Sequence, residues 1–249
     1  MTKRFENKVV AITGAAGGMG LAFARRFASE GAALVLTDVD KAGLAEAAST
    51  LTKEGARCLT HVVDLAVESE IQKFAGQQER LDVLINNAGL AYGEVAFSFE
   101  SLSQSQWLRF LSVNTVAPLL LAQALRAPLA RAKGVVLNVS SMAANVPATA
   151  YGVTKAALNA MTYGMASVFG NDGIRVNAIA PGLMETPAAR GNLPAETYQR
   201  IQSQQMLKVH GTADDIAALG VFLASEDARF ITAEIVSCDA GNRLRGWRG

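Results

Sequence analysis

Tyr151 and Lys155 stand four apart in the stretch Tyr151-Gly152-Val153-Thr154-Lys155. At 3.6 residues per turn this spacing stacks them on one helix face. A phenol near pKa 10 is a poor acid or base at neutral pH. An ammonium held beside it favours the phenolate and brings the phenol into useful range. The pair therefore suits proton transfer to or from an alcohol oxygen. Many solvated helices also carry a tyrosine and a lysine at this spacing, so the pair takes its meaning from its company in the chain.

That company begins near the N-terminus. Val9-Val10-Ala11-Ile12 is a continuous apolar run, the pattern of a strand buried on both faces. Thr13-Gly14-Ala15-Ala16-Gly17-Gly18-Met19-Gly20 follows directly, and Leu21 to Glu30 has helical spacing. Strand, glycine turn and helix form the setting of a dinucleotide-binding turn. Small residues let the backbone approach a pyrophosphate, and a helix N-terminus supplies N–H groups and partial positive charge. The alternative is a plain tight turn before a helix, which the flanking elements disfavour. The glycines at 14, 18 and 20 depart from the common G-x-G-x-x-G spacing.

Ala33 to Thr37 reads as a second strand ending at Asp38. A carboxylate there accepts hydrogen bonds from ribose hydroxyls and repels a 2′-phosphate. Ala15, Ala16, Gly17 and Val39 offer no cation to receive such a phosphate. Helix capping is the other use for Asp38, but Asp40 is better placed to cap Lys41 to Leu51, which Gly55 closes. Arg57 to Val63 is the third strand, followed by Asp64-Leu65, and Val67 to Gln78 is helical. Val83-Leu84-Ile85 is a fourth buried strand, with Asn86-Asn87-Ala88-Gly89 at its end. His61 and His210 read as structural.

Ser103 to Leu129 is expected as one long helix, distorted at Asn114. Pro118 lies four residues on and its ring clashes with the Asn114 carbonyl, leaving that oxygen free to hold a water. Asn114 sits among apolar neighbours, where an amide needs partners. Gly134 to Val139 is the fifth strand, ending in Ser140-Ser141. Tyr151 to Phe169 is a helix and Ile174 to Ala180 a sixth strand. Pro187 to Leu207 is less regular and reads as a lid over roughly 187–208. Thr212 to Ser225 is a helix with Thr212 and Asp215 as a near capping box, and Ile235 to Ser237 a last strand. The alternation implies one α/β domain over 1–249, a Rossmann-type doubly wound parallel sheet of about seven strands with helices on both faces.

The totals exclude several classes. Lys+Arg 23 against Asp+Glu 22 gives a net charge of +1, which makes no electrostatic case for nucleic acid or an anionic membrane. Cys58 and Cys238 form no disulfide framework, and no metal-ligand spacing is present. Met1 to Lys8 lacks the apolar core of a signal peptide. No apolar run reaches the ~20 residues of a membrane span. A cytoplasmic protein is expected.

Taken together, the glycine turn, Asn86-Asn87-Ala88-Gly89, Asn114, Ser141, Tyr151, Lys155 and Pro181-Gly182 with Thr186 resemble the short-chain dehydrogenase/reductase family over nearly the whole chain. The resemblance implies an NAD-dependent oxidoreductase interconverting a secondary alcohol and a ketone. It makes Tyr151 the acid/base, and Lys155 the group that binds the nicotinamide ribose and lowers the tyrosine pKa. Ser141 positions the substrate oxygen, and Asn114 holds a water beside Lys155. It assigns NAD(H) to Gly14, Gly18, Met19, Gly20, Asp38, Asp64, Leu65, Asn87, Ala88, Gly89, Tyr151, Lys155, Pro181, Gly182, Met184 and Thr186. No metal is implied, and a homotetramer or homodimer is expected.

The family's serine usually lies thirteen residues before the tyrosine, where this chain has Asn138 inside a strand. Ser141, with Ser140 as the fallback, implies a loop shortened by three. Expected pocket residues are Tyr92, Met142, Ala143, Val146, Leu183, Leu193 and Met206, mostly apolar. Arg190 is a candidate partner for an anionic group, although a solvated arginine is the commoner case. Asp239-Ala240-Gly241 replaces a common Asp-Gly-Gly, and a basic tail with Trp247 follows. Rival readings are an NADPH-dependent carbonyl reductase of the same family and a non-catalytic NAD-binding regulator. The four-residue spacing of tyrosine and lysine sets the chain apart from enoyl reductases.

Overall fold

The computed structural model describes residues 3–91 and 99–247. The elements run β1 (Val9–Thr13), α1 (Gly18–Ser29), β2 (Ala33–Asp38), α2 (Lys41–Lys53), β3 (Arg57–Val62), α3 (Glu68–Ala75) and β4 (Val83–Asn86). After these come α4 (Gln104–Leu111), a π turn (Ser112–Val116), α5 (Ala117–Ala124), α6 (Arg126–Ala132) and β5 (Val135–Val139). The chain continues with α7 (Ala150–Phe169), β6 (Arg175–Pro181), α8 (Pro187–Asn192), α9 (Ala195–Ser203), α10 (Ala213–Ala224) and β7 (Ile235–Cys238).

All strands pair in parallel, in the order β3-β2-β1-β4-β5-β6-β7. The doubly wound sheet expected from the alternating pattern is present. Alternation along each strand explains the continuous apolar runs, because successive side chains enter different cores. Val10 and Ile12 face the core formed with Phe23 and Phe27 of α1, Leu44 and Leu51 of α2, and Ile216 and Val221 of α10. Ala11 faces the opposite core, with Ile71 and Phe74 of α3, Leu121 of α5 and Met165 and Phe169 of α7. Gly220 lets α10 lie against α1, since a Cβ there would stand 2.3 Å from the Phe23 ring.

The strand order reverses between β1 and β4. In open α/β sheets, ligands bind in the crevice outside the carboxyl ends of strands at such a point.

The long helix expected over Ser103 to Leu129 is instead three helices. The distortion expected at Asn114 is the π turn, where the Ala117 N–H reaches back to the Ser112 carbonyl. A second break follows α5, and α6 leaves at 63° to the preceding axis. Its cause is Pro128, whose ring cannot coexist with a helical carbonyl at Ala124, four residues earlier. Capping went as expected: Asp40 accepts from the Ala42 and Gly43 N–H groups, and Thr212 with Asp215 forms a capping box. Among the described residues no single helix is long and apolar enough to cross a membrane.

Candidate active site

The ends of β1 and β4 are stapled together beneath the glycine turn. Thr13 Oγ1 accepts from the Asn87 and Ala88 N–H groups, both at 3.0 Å. Asn87 Nδ2 donates to the Thr13 and Gly14 carbonyls at 2.9 and 3.0 Å. Gly14 and Gly18 have φ of +65° and +54°, the left-handed region that favours glycine. A Cβ on Gly20 would lie 2.0 Å from the Gly14 carbonyl oxygen, so the first turn of α1 rests directly on the loop. Gly17, the N-cap of α1, has no neighbour within 4 Å of its missing Cβ and faces the open cleft.

Asp38 ties this loop to β2. Its carboxylate accepts from the Ala16 N–H at 2.9 Å and from the Asp40 N–H at 3.0 Å. Capping of α2 falls to Asp40, so Asp38 remains on the cleft wall. Asp64 lies beside it on that wall, its carboxylate accepting from the Ala66 N–H.

At the other end stands α7, capped by Thr149, whose hydroxyl accepts from the Gly152 N–H at 3.0 Å. Lys155 is only 3% exposed, and its Nζ donates to the Val139 carbonyl at 2.7 Å. The same nitrogen lies 5.7 Å from the centroid of the Tyr151 ring. Burial lowers the Lys155 pKa to about 8. Asn114, fully buried, accepts from the Leu90 N–H at 2.7 Å and donates to the Leu90 carbonyl and Thr154 hydroxyl, both at 3.0 Å. It therefore joins the segment after β4 to α7 from behind the cleft wall. A Cβ on Gly89 would come within 3.2 Å of Asn114 Oδ1 and 3.4 Å of Lys155 Nζ, so small size at 89 lets these groups close together.

The two serines have different surroundings. Ser140 is buried, and its hydroxyl donates to Asn159 Oδ1 at 2.6 Å. Ser141 Oγ instead accepts from the Ala143 N–H at 3.1 Å, capping the 3₁₀ turn Met142–Asn145, and this bond leaves its proton uncommitted. Asn138 is paired inside the sheet, accepting from Asn86 Nδ2 and donating to Thr162 Oγ1, both at 2.9 Å. The turn packs on the start of α7, where a Cβ on Gly152 would meet the Ala143 carbonyl oxygen at 2.9 Å.

One cavity of about 950 Å³ joins these features. Gly14, Gly18, Met19, Asp38, Asp64, Leu65, Asn87, Ala88 and Gly89 line it, as do Ser141, Tyr151, Lys155, Pro181, Gly182, Met184 and Thr186. Met142, Ala143, Val146, Leu183 and Leu193 also line it. Gly20 and Asn114 do not, and both act instead as close-packing supports. Met206, expected in the pocket, is also placed elsewhere. Its backbone N–H donates to the Ala240 carbonyl, and its side chain covers Gly241. Tyr92 lies outside the described residues. Arg190 is bound to Glu185 at 2.6 Å, and His210 reaches the same carboxylate at 3.0 Å.

Sequence reasoning missed Arg109, Thr197, Arg200, Ile201, Gln204 and Asn242 on the cavity wall. Four of them were within reach of periodicity. Thr197, Arg200, Ile201 and Gln204 follow the i, i+3, i+4, i+7 rule of a single helix face. Asn242 donates to the Ile201 carbonyl at 3.0 Å, a contact between distant segments that no local pattern announces.

A family model described as enoyl-(acyl carrier protein) reductase matches residues 14–243. Meso-2,3-butanediol dehydrogenase of Serratia marcescens is 35% identical over 243 residues, covering 96% of this chain and 95% of that protein. The chain belongs to the short-chain dehydrogenase/reductase family. It is an oxidoreductase acting on CH–OH groups and the corresponding ketones. A solved 7α-hydroxysteroid dehydrogenase, complexed with NADH and 7-oxo glycochenodeoxycholic acid, superposes with a TM-score of 0.89 at 27% identity, covering 96% of each chain. A blue fluorescent protein from a metagenomic library, in complex with NADPH, superposes with a TM-score of 0.86 at 28% identity, covering 96% of this chain and 99% of that one. Relatives of this dehydrogenase/reductase thus include binders of either nicotinamide cofactor.

The buried lysine has a consequence for stability. A lysine whose folded pKa is about 8 rather than 10.5 binds fewer protons folded than unfolded between those two values, so this term makes stability rise with pH across that window. The penalty is fully present below pH 8 and amounts to roughly 3 kcal/mol. Lys155→Met should therefore raise the thermal unfolding midpoint of the ligand-free protein at pH 7. The gain should shrink from pH 8 to 10.5, and a gain independent of pH in scanning calorimetry would show that the charge carries no burial penalty.

Proposed function

We propose that this chain is an NAD(H)-dependent dehydrogenase/reductase for a secondary alcohol/ketone pair, with Tyr151 as the acid/base. The observation that carries the reading is one cavity with the glycine turn and Asp38 on one wall and Tyr151 with buried Lys155 on another. A nicotinamide dinucleotide fits the residues present. The open face of Gly17 and the uncapped N-terminus of α1 suit a pyrophosphate. The buried Asn87 Oδ1, which has no partner among the described residues, is a free acceptor at the cleft. When bound, the nicotinamide supplies or accepts the hydride.

The chain's own residues handle the proton. One N–H of the Lys155 ammonium is spent on Val139, which leaves two for a ribose and for the Tyr151 side. Its charge, little screened in a buried position, favours the Tyr151 phenolate. Tyr151 then takes the proton of a bound alcohol, or returns it to a ketone oxygen. Ser141 holds that oxygen with its uncommitted hydroxyl. Pro118 has no N–H to offer the Asn114 carbonyl, which leaves this oxygen for a water that relays protons beside Lys155.

The family resemblance further assigns a homotetramer built on the helices around Asn114 and Tyr151. Exposed Leu108, Val116, Tyr163 and Val168 on these helices support it, and a monomer in light scattering would overturn it.

Tyr151→Phe should keep NAD(H) binding and lose turnover by about 10²–10⁴-fold. Turnover within a few-fold of wild type would remove Tyr151 from the mechanism. Full loss separates this reading from a non-catalytic NAD-binding regulator. Ser141→Ala should cost much more activity than Ser140→Ala in folded, purified protein, and the reverse ranking would move the oxygen-binding role to Ser140.

Asp38 sets the cofactor choice in this proposal. Held by two backbone N–H groups, its carboxylate cannot swing away cheaply. It accepts charge-assisted hydrogen bonds from ribose hydroxyls. A 2′-phosphate would meet like charge, at a cost on the order of a few kcal/mol, or about a hundredfold in efficiency. Strong preference for NAD(H) in kcat/KM is expected, and Asp38→Ser with Val39→Arg should erode or invert it. Equal efficiency with NADPH in the wild type would favour the NADPH-dependent carbonyl reductase reading.

A further inference from the structure

We infer that the substrate is an amphiphilic anion: a hydroxy or oxo compound with an apolar body and a carboxylate or phosphate that Arg109 and Arg200 bind. This deepens the proposed alcohol/ketone reading and rests on it. Apart from Lys155, the charged residues lining the cavity among the described residues are Asp38, Asp64, Arg109 and Arg200. Asp38 ends β2 against the glycine turn, and Asp64 follows the end of β3. Both guanidinium groups stand on other elements, Arg109 on α4 and Arg200 on the lid helix α9. Among the described lining residues the carboxylates thus come from the ends of β2 and β3, and the charged groups that α4 and α9 contribute are only cations.

Neither cation is committed to another side chain among the described residues. Arg4, Arg26, Arg126 and Arg190 pair with Glu30, Asp214, Asp172 and Glu185. The guanidinium groups of Arg109 and Arg200 have no ion pair or hydrogen bond among the described residues. Glu196 precedes Arg200 by one turn, the favourable helical spacing for such a pair, yet forms none with it. Arg190, the arginine that sequence suggested for this task, is occupied by Glu185.

The surroundings define the rest of the ligand. Val113 follows Arg109 by four residues, and Ile201 follows Arg200 directly. Both line the cavity with Met142, Val146 and Leu193. An apolar body would cover these side chains, and displaced water would strengthen the contact of an anion with a guanidinium. The planar fork of arginine donates two parallel bonds to a carboxylate or phosphate. A neutral alcohol of the same shape forfeits these bonds.

The test compares octanoate, octyl phosphate and octanamide by calorimetric titration of the full chain, with and without saturating NADH. The anions should bind at least tenfold tighter than octanamide. Arg109→Gln or Arg200→Gln should each reduce that preference, and the double variant should abolish it while leaving octanamide binding unchanged. The ranking of octanoate against octyl phosphate tells carboxylate from phosphate recognition. Octanamide binding as tightly as the anions, an anion preference that survives in the double variant, or no binding of any of the three would each overturn the inference. Failure of NADH to bind would count against the oxidoreductase reading alone, because the anion preference is also read without it.

Discussion

The ammonium of Lys155 is buried between α7 and the sheet, with the Val139 carbonyl at the end of β5 as its acceptor. Burying a charge is costly unless it is hydrogen-bonded, so every element around this nitrogen is tightly specified. β5 must end where its last carbonyl can be reached. α7 must start where Lys155 falls on its second turn, and the Thr149 cap sets that start. Gly89 is tightly bounded on its Cβ side, where an added Cβ would come within 3.2 Å of Asn114 Oδ1 and 3.4 Å of Lys155 Nζ. Asn114 in turn holds the backbone of Leu90 and the side chain of Thr154, so the end of β4 and the face of α7 are positioned by one amide. The penalty on the charge is what keeps the lysine pKa close to neutrality.

A parallel sheet brings all strand ends with chemistry to one edge. Thr13, Asp38, Asn87, Val139 and Pro181 each terminate or follow a different strand, and all five line one cavity or its supports. Inside the sheet a chain of hydrogen bonds runs from Asn86 to Asn138 to Thr162 and on to the Leu158 carbonyl. That chain crosses β4, β5 and α7, so the helix that carries Tyr151 is registered against the sheet by hydrogen bonds as well as by packing.

Much of this was legible in sequence because it is local. Continuous apolar runs revealed buried strands, and Asp40, Thr212 and Asp215 announced helix starts. The Pro118–Asn114 offset located the π turn. The break before α6 was equally local, four residues before Pro128, and reading that proline by the same rule would have found it. What remained hidden depends on contacts between distant segments. Met206 looks like a pocket residue until Gly241 is seen beneath it. Arg190 looks available until Glu185 and His210, which flank α8 and α9, are brought together and the Glu185 carboxylate takes both Arg190 and His210. Asn242 and Arg200 enter the cavity wall through tertiary placement of the C-terminal segment and α9.

The π turn at Ser112–Val116 has a further consequence, for the spacing of the chain. Such a turn accommodates one residue more than an α-helical path of the same length. Each residue of an α-helix rotates the side-chain direction by about 100°. The additional residue therefore offsets the phase of α4 from that of α5: Arg109 and Val113 face the cavity, while Ala117 and Leu121 face the core. Removing one residue between 112 and 116 would yield a more regular helix and a less useful one. With α5 anchored in the core, α4 would turn about its axis and carry Arg109 away from the cleft. The register of one cavity wall is thus set by a count of residues, at a place that Pro118 marks.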